Sequence, residues 1–321
     1  MKAVRQHEAG GPEVLRIEDL PIPTPGPSEV RVKLEAIGVN FVDVYVRKGQ
    51  YASQFPIIPG AEGAGVVDEV GTNVSTVRPG DRVAWAQSPN ACAEYAIVPA
   101  ERLVIVPDGI DTRTAAAVML QGMTAHYLTH STFQLQPGQT ALVHAAAGGV
   151  GALLVQIAKR LGAYVIGTAS TEKAQVARDA GVDALIQYDR DDFETETRRI
   201  TDGKGVDVVY DSVGRTTFDK SLSCLKRRGY MVLYGQSSGP VPPFDLQVLN
   251  AKGSLFVTRP TLRDYVAERA EMLWRANEVL GWIGAGQLTV RIDRTFPLAE
   301  AAEAHRYLEA RKTRGKVLLI P

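Results

Sequence analysis

The spacing of apolar positions changes character near residue 140. Before it, short alternating runs dominate: Val30-Arg-Val-Lys-Leu34 puts an apolar side chain at every second position, residues 65–70 follow a glycine cluster, and residues 82–85 follow the turn Arg78-Pro-Gly-Asp81. Alternation bounded by Gly and Pro predicts strands, and hence a β-rich domain. Pro21, Pro23, Pro25 and Pro27 hold the chain in a stiff extended connector. After residue 140, short apolar runs alternate with helical spacing. A strand is predicted over 140–144, followed by Val150, Leu153, Leu154, Ile157, Ala158 and Leu161 at i, i+3, i+4, i+7 spacing. That spacing gives one buried helix face, which Gly162 is placed to end. Strands at 164–166, 184–188, 206–210, 230–234 and 254–257 are then interleaved with helices at 173–180, from Asp191, and at 217–225. Strand and helix in alternation predict an α/β fold with a parallel sheet covered on both faces. From Arg263 the pattern gives one long helix, a strand-like 288–292, a helix over 298–308 and a closing strand 316–320.

Composition removes several classes of function. The 321 residues are 45% hydrophobic and 22% charged, and 36 basic residues balance 36 acidic ones. Neutral balance without a basic run counts against a nucleic-acid partner. The start MKAVRQHEAGG lacks a signal-peptide core, and no stretch approaches a membrane span. The two cysteines, Cys92 and Cys224, have no metal-ligand spacing. A cytoplasmic setting is expected, which makes the sequon Asn73-Val-Ser75 a chance match.

The stretch His144-Ala-Ala-Ala-Gly-Gly-Val-Gly151 leaves a predicted strand and opens a predicted helix. There the unpaired helix N–H groups and the positive end of the helix dipole face a bound anion. Ala146, Gly148 and Gly151 fall on the three positions of the G-x-G-x-x-G dinucleotide fingerprint, with alanine replacing the first glycine. A negative φ would allow Ala146 to make the turn, and Gly148 stays bare for approach of a pyrophosphate. Ala147, Gly148, Gly149 and Val150 are thus the expected phosphate contacts.

An NAD-specific site places Asp or Glu at the end of the second strand, roughly 20 residues on. Here the chain reads Gly167-Thr-Ala-Ser-Thr-Glu-Lys173, with no acid at its head. Thr168, Ser170 and Lys173 suit a 2′-phosphate, so NADPH is the expected cofactor. Helix capping by Ser170 and a solvated Lys173 are the plainer alternatives. The rule that ligands bind outside the carboxyl ends of parallel strands adds Tyr188, Ser212, Tyr234, Gly235, Gln236, Ser237, Val257, Thr258 and Arg259.

With HAAAGGVG, GTASTEK, VDVVYDSVG, GSLFVTRP and the amino-terminal GVNFVD in order, the chain resembles the quinone oxidoreductases, the ζ-crystallin-like branch of the medium-chain dehydrogenase/reductases. The resemblance implies a GroES-like catalytic domain over 1–122 and 263–321 and a Rossmann domain over 123–262, with an active-site cleft between them. It assigns Gln121, Gly122 and Thr124 to the nicotinamide–ribose region, and Lys173, Tyr188 and Arg311 to the 2′-phosphate. The plainer alternative for Arg311 is a helix-end charge, and Tyr188 is by itself equally a strand-end aromatic. A homodimer through the edge of the Rossmann sheet, near 253–258, is implied as well.

The zinc-dependent relatives carry a cysteine ligand where this chain has Asn40 and a histidine where it has Ala61, and the four-cysteine lobe is absent; no zinc is expected. Without a metal to polarise a carbonyl, the acceptor is already electrophilic: a quinone, or alternatively the C=C bond of a conjugated enone or enal. Asn40 and Tyr45 match active-site positions and are the candidate hydrogen-bond donors to the acceptor oxygen, and expected contacts of the nicotinamide end of the cofactor. Tyrosine, with a pKa near 10, donates rather than accepts a proton at neutral pH. Core packing of Tyr45 and a structural bond from Asn40 remain open.

Three other readings are weaker. Gly235-Gln-Ser-Ser-Gly239 matches the G-x-S-x-G elbow of serine hydrolases, but Pro240, Pro242 and Pro243 oppose the helix the elbow requires. His126 and His130 stand at i, i+4, without the glutamate of a zinc protease motif. Some members of the branch bind RNA or serve as lens crystallins; the neutral charge and the lack of a basic stripe count against RNA here.

Overall fold

The computed structural model describes residues 1–321, which form two compact units: Met1–Met123 with Val266–Pro321, and Thr124–Tyr265.

Numbering elements within the second unit, the strands are β1 (Thr140–Val143), β2 (Tyr164–Ala169), β3 (Ala184–Gln187), β4 (Val206–Asp211), β5 (Leu225–Leu233) and β6 (Phe256–Thr258). All pair in parallel, in the order β3-β2-β1-β4-β5-β6. This is the doubly wound dinucleotide-binding order, whose chain reversal falls between β1 and β4. The helices between its first five strands are α1 (Gly149–Arg160), α2 (Ala174–Asp179), α3 (Phe193–Ile200) and α4 (Phe218–Cys224). Leu153, Leu154, Ile157 and Ala158 of α1 are buried as the spacing predicts. Gly162 and Gly181 take left-handed φ values of +76° and +98° where α1 and α2 end, a conformation glycine adopts without a Cβ clash. The polar α3 starts on an Asp192 cap, whose carboxylate accepts the Thr195 N–H at 3.0 Å.

The other unit is built on a seven-stranded sheet. Ile292–Pro297, Lys316–Ile320, Glu29–Val39, Glu62–Val70, Arg82–Ala86 and Val104–Ile105 follow one another across it, and Tyr95–Pro99 also pairs with Glu29–Val39. Trp85, Val32, Ile37, Val83 and Leu319 lie in its core. Two expectations need correction here. The strand expected at 288–292 lies later, at Ile292–Pro297, where only Phe296 is buried and alternation gives little signal. The single long helix from Arg263 is two, Leu262–Tyr265 and Arg269–Gly284, because Glu268 is extended before the second. Helix Phe41–Arg47 escaped prediction, since seven residues barely establish a helical period.

Candidate active site

In the Rossmann unit the chain leaves β1 through a turn that opens α1, with Gly148 at the extended N-cap. The first N–H groups of α1, from Gly149 onward, have no carbonyl within the helix to bond, which leaves them for an anion. The turn closes through the Gly148 N–H to the Ala145 carbonyl at 2.8 Å. A Cβ on Gly151 would overlap that same carbonyl, so Gly151 is required by strand–helix packing. The left-handed residue of the turn is Ala145, with φ +52°, rather than Ala146 in the first-glycine position. An L-residue there costs on the order of 1 kcal/mol, which the fingerprint did not disclose.

A buried polar chain supports this turn. Thr168, on β2, accepts the Ala146 N–H through its carbonyl at 2.9 Å, and its hydroxyl meets the Ala145 N–H at 3.3 Å and His144 Nδ1 at 3.1 Å. His144 Nε2 reaches Ser221 Oγ at 2.9 Å, and Ser221 donates to Asp211 Oδ2 at 3.3 Å. The remaining capacity of Asp211 goes to Thr217 Oγ1 at 2.7 Å and to the N–H groups of Val213 and Gly214 at 2.7 and 3.0 Å. Burial lowers the His144 pKa, partly opposed by Asp211. Thr168 is therefore a buried prop of the turn. His144, Ser221 and Asp211 were missed as functional residues, because nothing in their spacing links positions 144, 168, 211 and 221.

At the end of β2, Ser170 and Lys173 are half-buried on the turn before α2, and Tyr188 is half exposed just after β3. Sequence reasoning also missed Asp189. Its carboxylate takes the Thr171 N–H and hydroxyl at 3.0 and 3.1 Å, and the N–H bond holds its pKa low. Asp189, an acid beside the proposed ribose-phosphate position, is thus committed to Thr171. Arg311 stands elsewhere in the chain's division, exposed in the Met1–Met123/Val266–Pro321 unit with φ +57° after helix Ala301–Glu309.

Across the switch point, Ser212 follows β4 and its carbonyl accepts the Ser237 N–H at 3.1 Å. Tyr234 and Gly235 donate their N–H groups to the Asp211 carbonyl at 2.9 and 3.3 Å. A Cβ on Gly235 would come within 2.6 Å of the Ser212 carbonyl. Gln236 and Ser237 therefore sit at the same sheet end as the phosphate turn, with Val257, Thr258 and Arg259 on and after the neighbouring β6. No helix follows Gly235 until Gln247, and Ser238 Oγ donates to the Val213 carbonyl at 2.7 Å. A nucleophile elbow is not formed. His126 is buried and its ring stacks on that of His130 at 4.2 Å.

In the GroES-like unit, Asn40 caps helix Phe41–Arg47, and its N–H donates to Asp43 Oδ2 at 2.8 Å. Its side-chain amide donates to Glu62 Oε2 at 2.8 Å and to the Gly38 carbonyl at 3.3 Å, while Oδ1 accepts from Lys316 Nζ at 2.8 Å. The ion pair Lys316–Glu62 closes the triangle at 2.5 Å, with both side chains fully buried. Glu62 Oε1 accepts the Leu120 N–H at 2.6 Å. Burial pushes the Asp43 pKa up to about 7, against the opposing effects of the Asn40 N–H and Lys316. This corrects the donor role expected of Asn40. Both amide N–H bonds are engaged, so what it has left to offer a ligand is the second lone pair of Oδ1.

Tyr45 lies on the same helix, nearly buried, with its ring edge-on to Tyr51 at 5.6 Å. Gln121 is nearly buried and its Oε1 has no hydrogen-bond partner, an orphan acceptor suited to a ligand N–H or O–H. Packing alone keeps Gly122 bare, since a Cβ would crowd Val279 and Val118. Thr124 is buried at the start of the second unit.

The family models that match are the alcohol dehydrogenase GroES-like domain over residues 26–135 and the zinc-binding dehydrogenase over 180–319. The quinone oxidoreductase of Pseudomonas aeruginosa is 47% identical over 315 residues, 97% of each chain. The chain belongs to the quinone oxidoreductase branch of the medium-chain dehydrogenase/reductases. The structure of Escherichia coli quinone oxidoreductase complexed with NADPH matches with a TM-score of 0.98 and 43% identity, covering all of both chains. A 2-haloacrylate reductase of a Burkholderia species is 44% identical over 98% of this chain and 97% of its own. Despite the wording of one family model, the residues at the zinc-ligand positions do not fit zinc. Asn40 is an amide already bound by an ammonium, and Ala61 is a methyl group.

Proposed function

We propose that the protein is a metal-independent NADPH:quinone oxidoreductase. The observation that carries this is the turn Ala145–Gly151 at the switch point of a 3-2-1-4-5-6 sheet, in a chain so similar to quinone oxidoreductases. The residues fit a dinucleotide: α1 offers open N–H groups to a pyrophosphate, and the orphan Gln121 Oε1 offers an acceptor to an amide or hydroxyl. Ser170, Lys173 and Tyr188 would receive the 2′-phosphate, with Arg311 as a further cation, and Asp189 is kept out of competition by Thr171. Ser212, Tyr234 to Ser237 and Val257 to Arg259 would border the nicotinamide half.

When bound, NADPH supplies a hydride, and one proton added with it converts a quinone to a hydroquinone. Tyr45 would donate a hydrogen bond to the acceptor oxygen that gains charge, with Asn40 Oδ1 accepting from a ligand N–H or O–H beside it. A quinone needs no metal to be electrophilic, which agrees with a ligand position filled by Asn40. The similarity to a 2-haloacrylate reductase supports a second reading, reduction of an activated C=C bond. NADPH oxidation measured against matched quinones, enones and ketones tests both. Quinone turnover at least tenfold above enone is expected; ketone turnover alone would sink the metal-free mechanism.

A homodimer is also proposed, formed by pairing of the sheet edge β6. Phe256 on that edge is 48% exposed and stacks on Tyr230 at 4.5 Å. Sedimentation of wild type and Phe256→Glu should give a dimer and a monomer respectively. The setting we propose is cytoplasmic; no helix is long and apolar enough to cross a membrane.

A further inference from the structure

The buried triangle of Asn40, Glu62 and Lys316 is an expensive way to hold a fold. Two charges taken fully out of water recover their desolvation cost only with complete hydrogen bonding, and apolar replacements of equal volume are often as stable. The pair is nevertheless closely built in. A Cβ on Gly38 would overlap the Glu62 carboxylate and stand 2.8 Å from Lys316 Nζ, so the backbone is kept bare to admit both groups. Three strands and one helix meet there: Glu62 begins Glu62–Val70, Lys316 begins Lys316–Ile320, Asn40 follows Glu29–Val39, and Leu120 lies within Thr112–Tyr127.

An asparagine amide is nearly symmetric in shape and can flip unless its neighbours distinguish oxygen from nitrogen. Here an ammonium faces Oδ1 and a carboxylate faces Nδ2. A flipped amide would point N–H groups at the ammonium and its oxygen at the carboxylate, so both neighbours forbid the flip. The same carboxylate binds the backbone N–H of Leu120, next to the orphan acceptor of Gln121. One buried ion pair therefore orients the Asn40 amide and anchors the backbone next to Gln121.

We propose that Lys316 and Glu62 are positioning residues for the acceptor site, fixing the amide of Asn40 with Oδ1 toward the ligand and anchoring the segment that carries Gln121. This deepens, and rests on, the reading that Asn40 lines that site. The Lys316 ammonium is then a fixed internal cation that orders the site beside a position where metal-dependent relatives hold a zinc ligand.

The test compares Asn40→Ala, Glu62→Gln and the double variant Lys316→Met/Glu62→Gln, each checked for its melting temperature. The double variant leaves no unpaired buried charge, so it is the one expected to melt near wild type. Its kcat with a quinone should fall roughly 10- to 100-fold, as for loss of groups that orient a ligand-binding side chain, while its KM for NADPH stays within about twofold. Adding Asn40→Ala to the double variant should cost nothing beyond Asn40→Ala alone, because the residues act as one unit. Glu62→Gln, which keeps shape and the Leu120 acceptor, should lose kcat in the same range and decides the matter if the double variant fails to fold. Wild-type kcat in either folded variant, with Asn40→Ala impaired, overturns the positioning role and leaves the site reading standing. Wild-type kcat in Asn40→Ala overturns the site reading and this inference with it.

Discussion

In residues 124–265 the groups prepared for a ligand belong to the backbone: the open N–H groups of α1, held by a turn that His144, Thr168, Ser221 and Asp211 support from below. In the GroES-like unit they belong to side chains, and they are set by a buried ion pair. The first design suits a constant ligand, since every dinucleotide presents the same pyrophosphate. The second suits a site that adjusts to its acceptor, because exchanging one side chain changes its chemistry while the sheet stays as it is. In this chain the position that resembles a metal ligand's holds the amide of Asn40, bound to the Lys316 ammonium.

The contrast can be sharpened first through pH. Asp43 keeps its proton more tightly folded than unfolded, with a folded pKa of about 7. Its contribution is full below the unfolded carboxylate range and is lost as pH rises to 7. Asp43→Asn should therefore gain on wild type between pH 4 and pH 7, by on the order of 4 kcal/mol. The lowered pKa of His144 has the opposite sign, with stability lost as pH falls below the ordinary histidine range. Chemical denaturation of wild type and Asp43→Asn across this range reads the difference, and a constant gap would break the contrast.

The backbone design makes the next largest prediction. Gly151→Ala pushes a Cβ into the Ala145 carbonyl and should cost close to 3 kcal/mol, at the upper end for overpacking. Its NADPH affinity should fall at least tenfold by fluorescence titration, and unchanged affinity would show that the turn does not hold the cofactor. Lys173→Glu tests the one charged side chain assigned to the cofactor. NADPH should bind about 30-fold more weakly, a loss near 2 kcal/mol, with NADH altered by less than about threefold. Equal losses would remove the 2′-phosphate assignment. Smallest is Ala145→Gly. Relief of a left-handed alanine is nearly offset by the freer unfolded chain, so stability should move by less than about 0.5 kcal/mol.

What was legible in the sequence follows the same division. The alternation of strand and helix, the turn and the start of α1 rest on residues close together in the chain, and local spacing carries them. The triangle joins positions 40, 62 and 316, and only the folded sheet brings those together. Glu62 carried a faint signal, an acid among Gly60, Ala61, Gly63 and Ala64 at the head of an apolar strand. The role of Asn40 was misjudged as a donor because its partners were unseen. The strand Ile292–Pro297 was misplaced because it lies at a sheet edge with little buried surface.

The place of Lys316 in the chain has a consequence for synthesis. Residues 124–265 are contiguous and can complete their sheet as soon as they leave the ribosome. The GroES-like unit cannot, because Lys316–Ile320 is the last strand in chain order and pairs with Glu29–Val39, one of the first. Until that strand arrives, the Glu62 carboxylate waits in an apolar strand without its cation. Nascent chains halted before residue 316 should therefore hold a finished dinucleotide fold beside a GroES-like unit still open to chaperones and proteases.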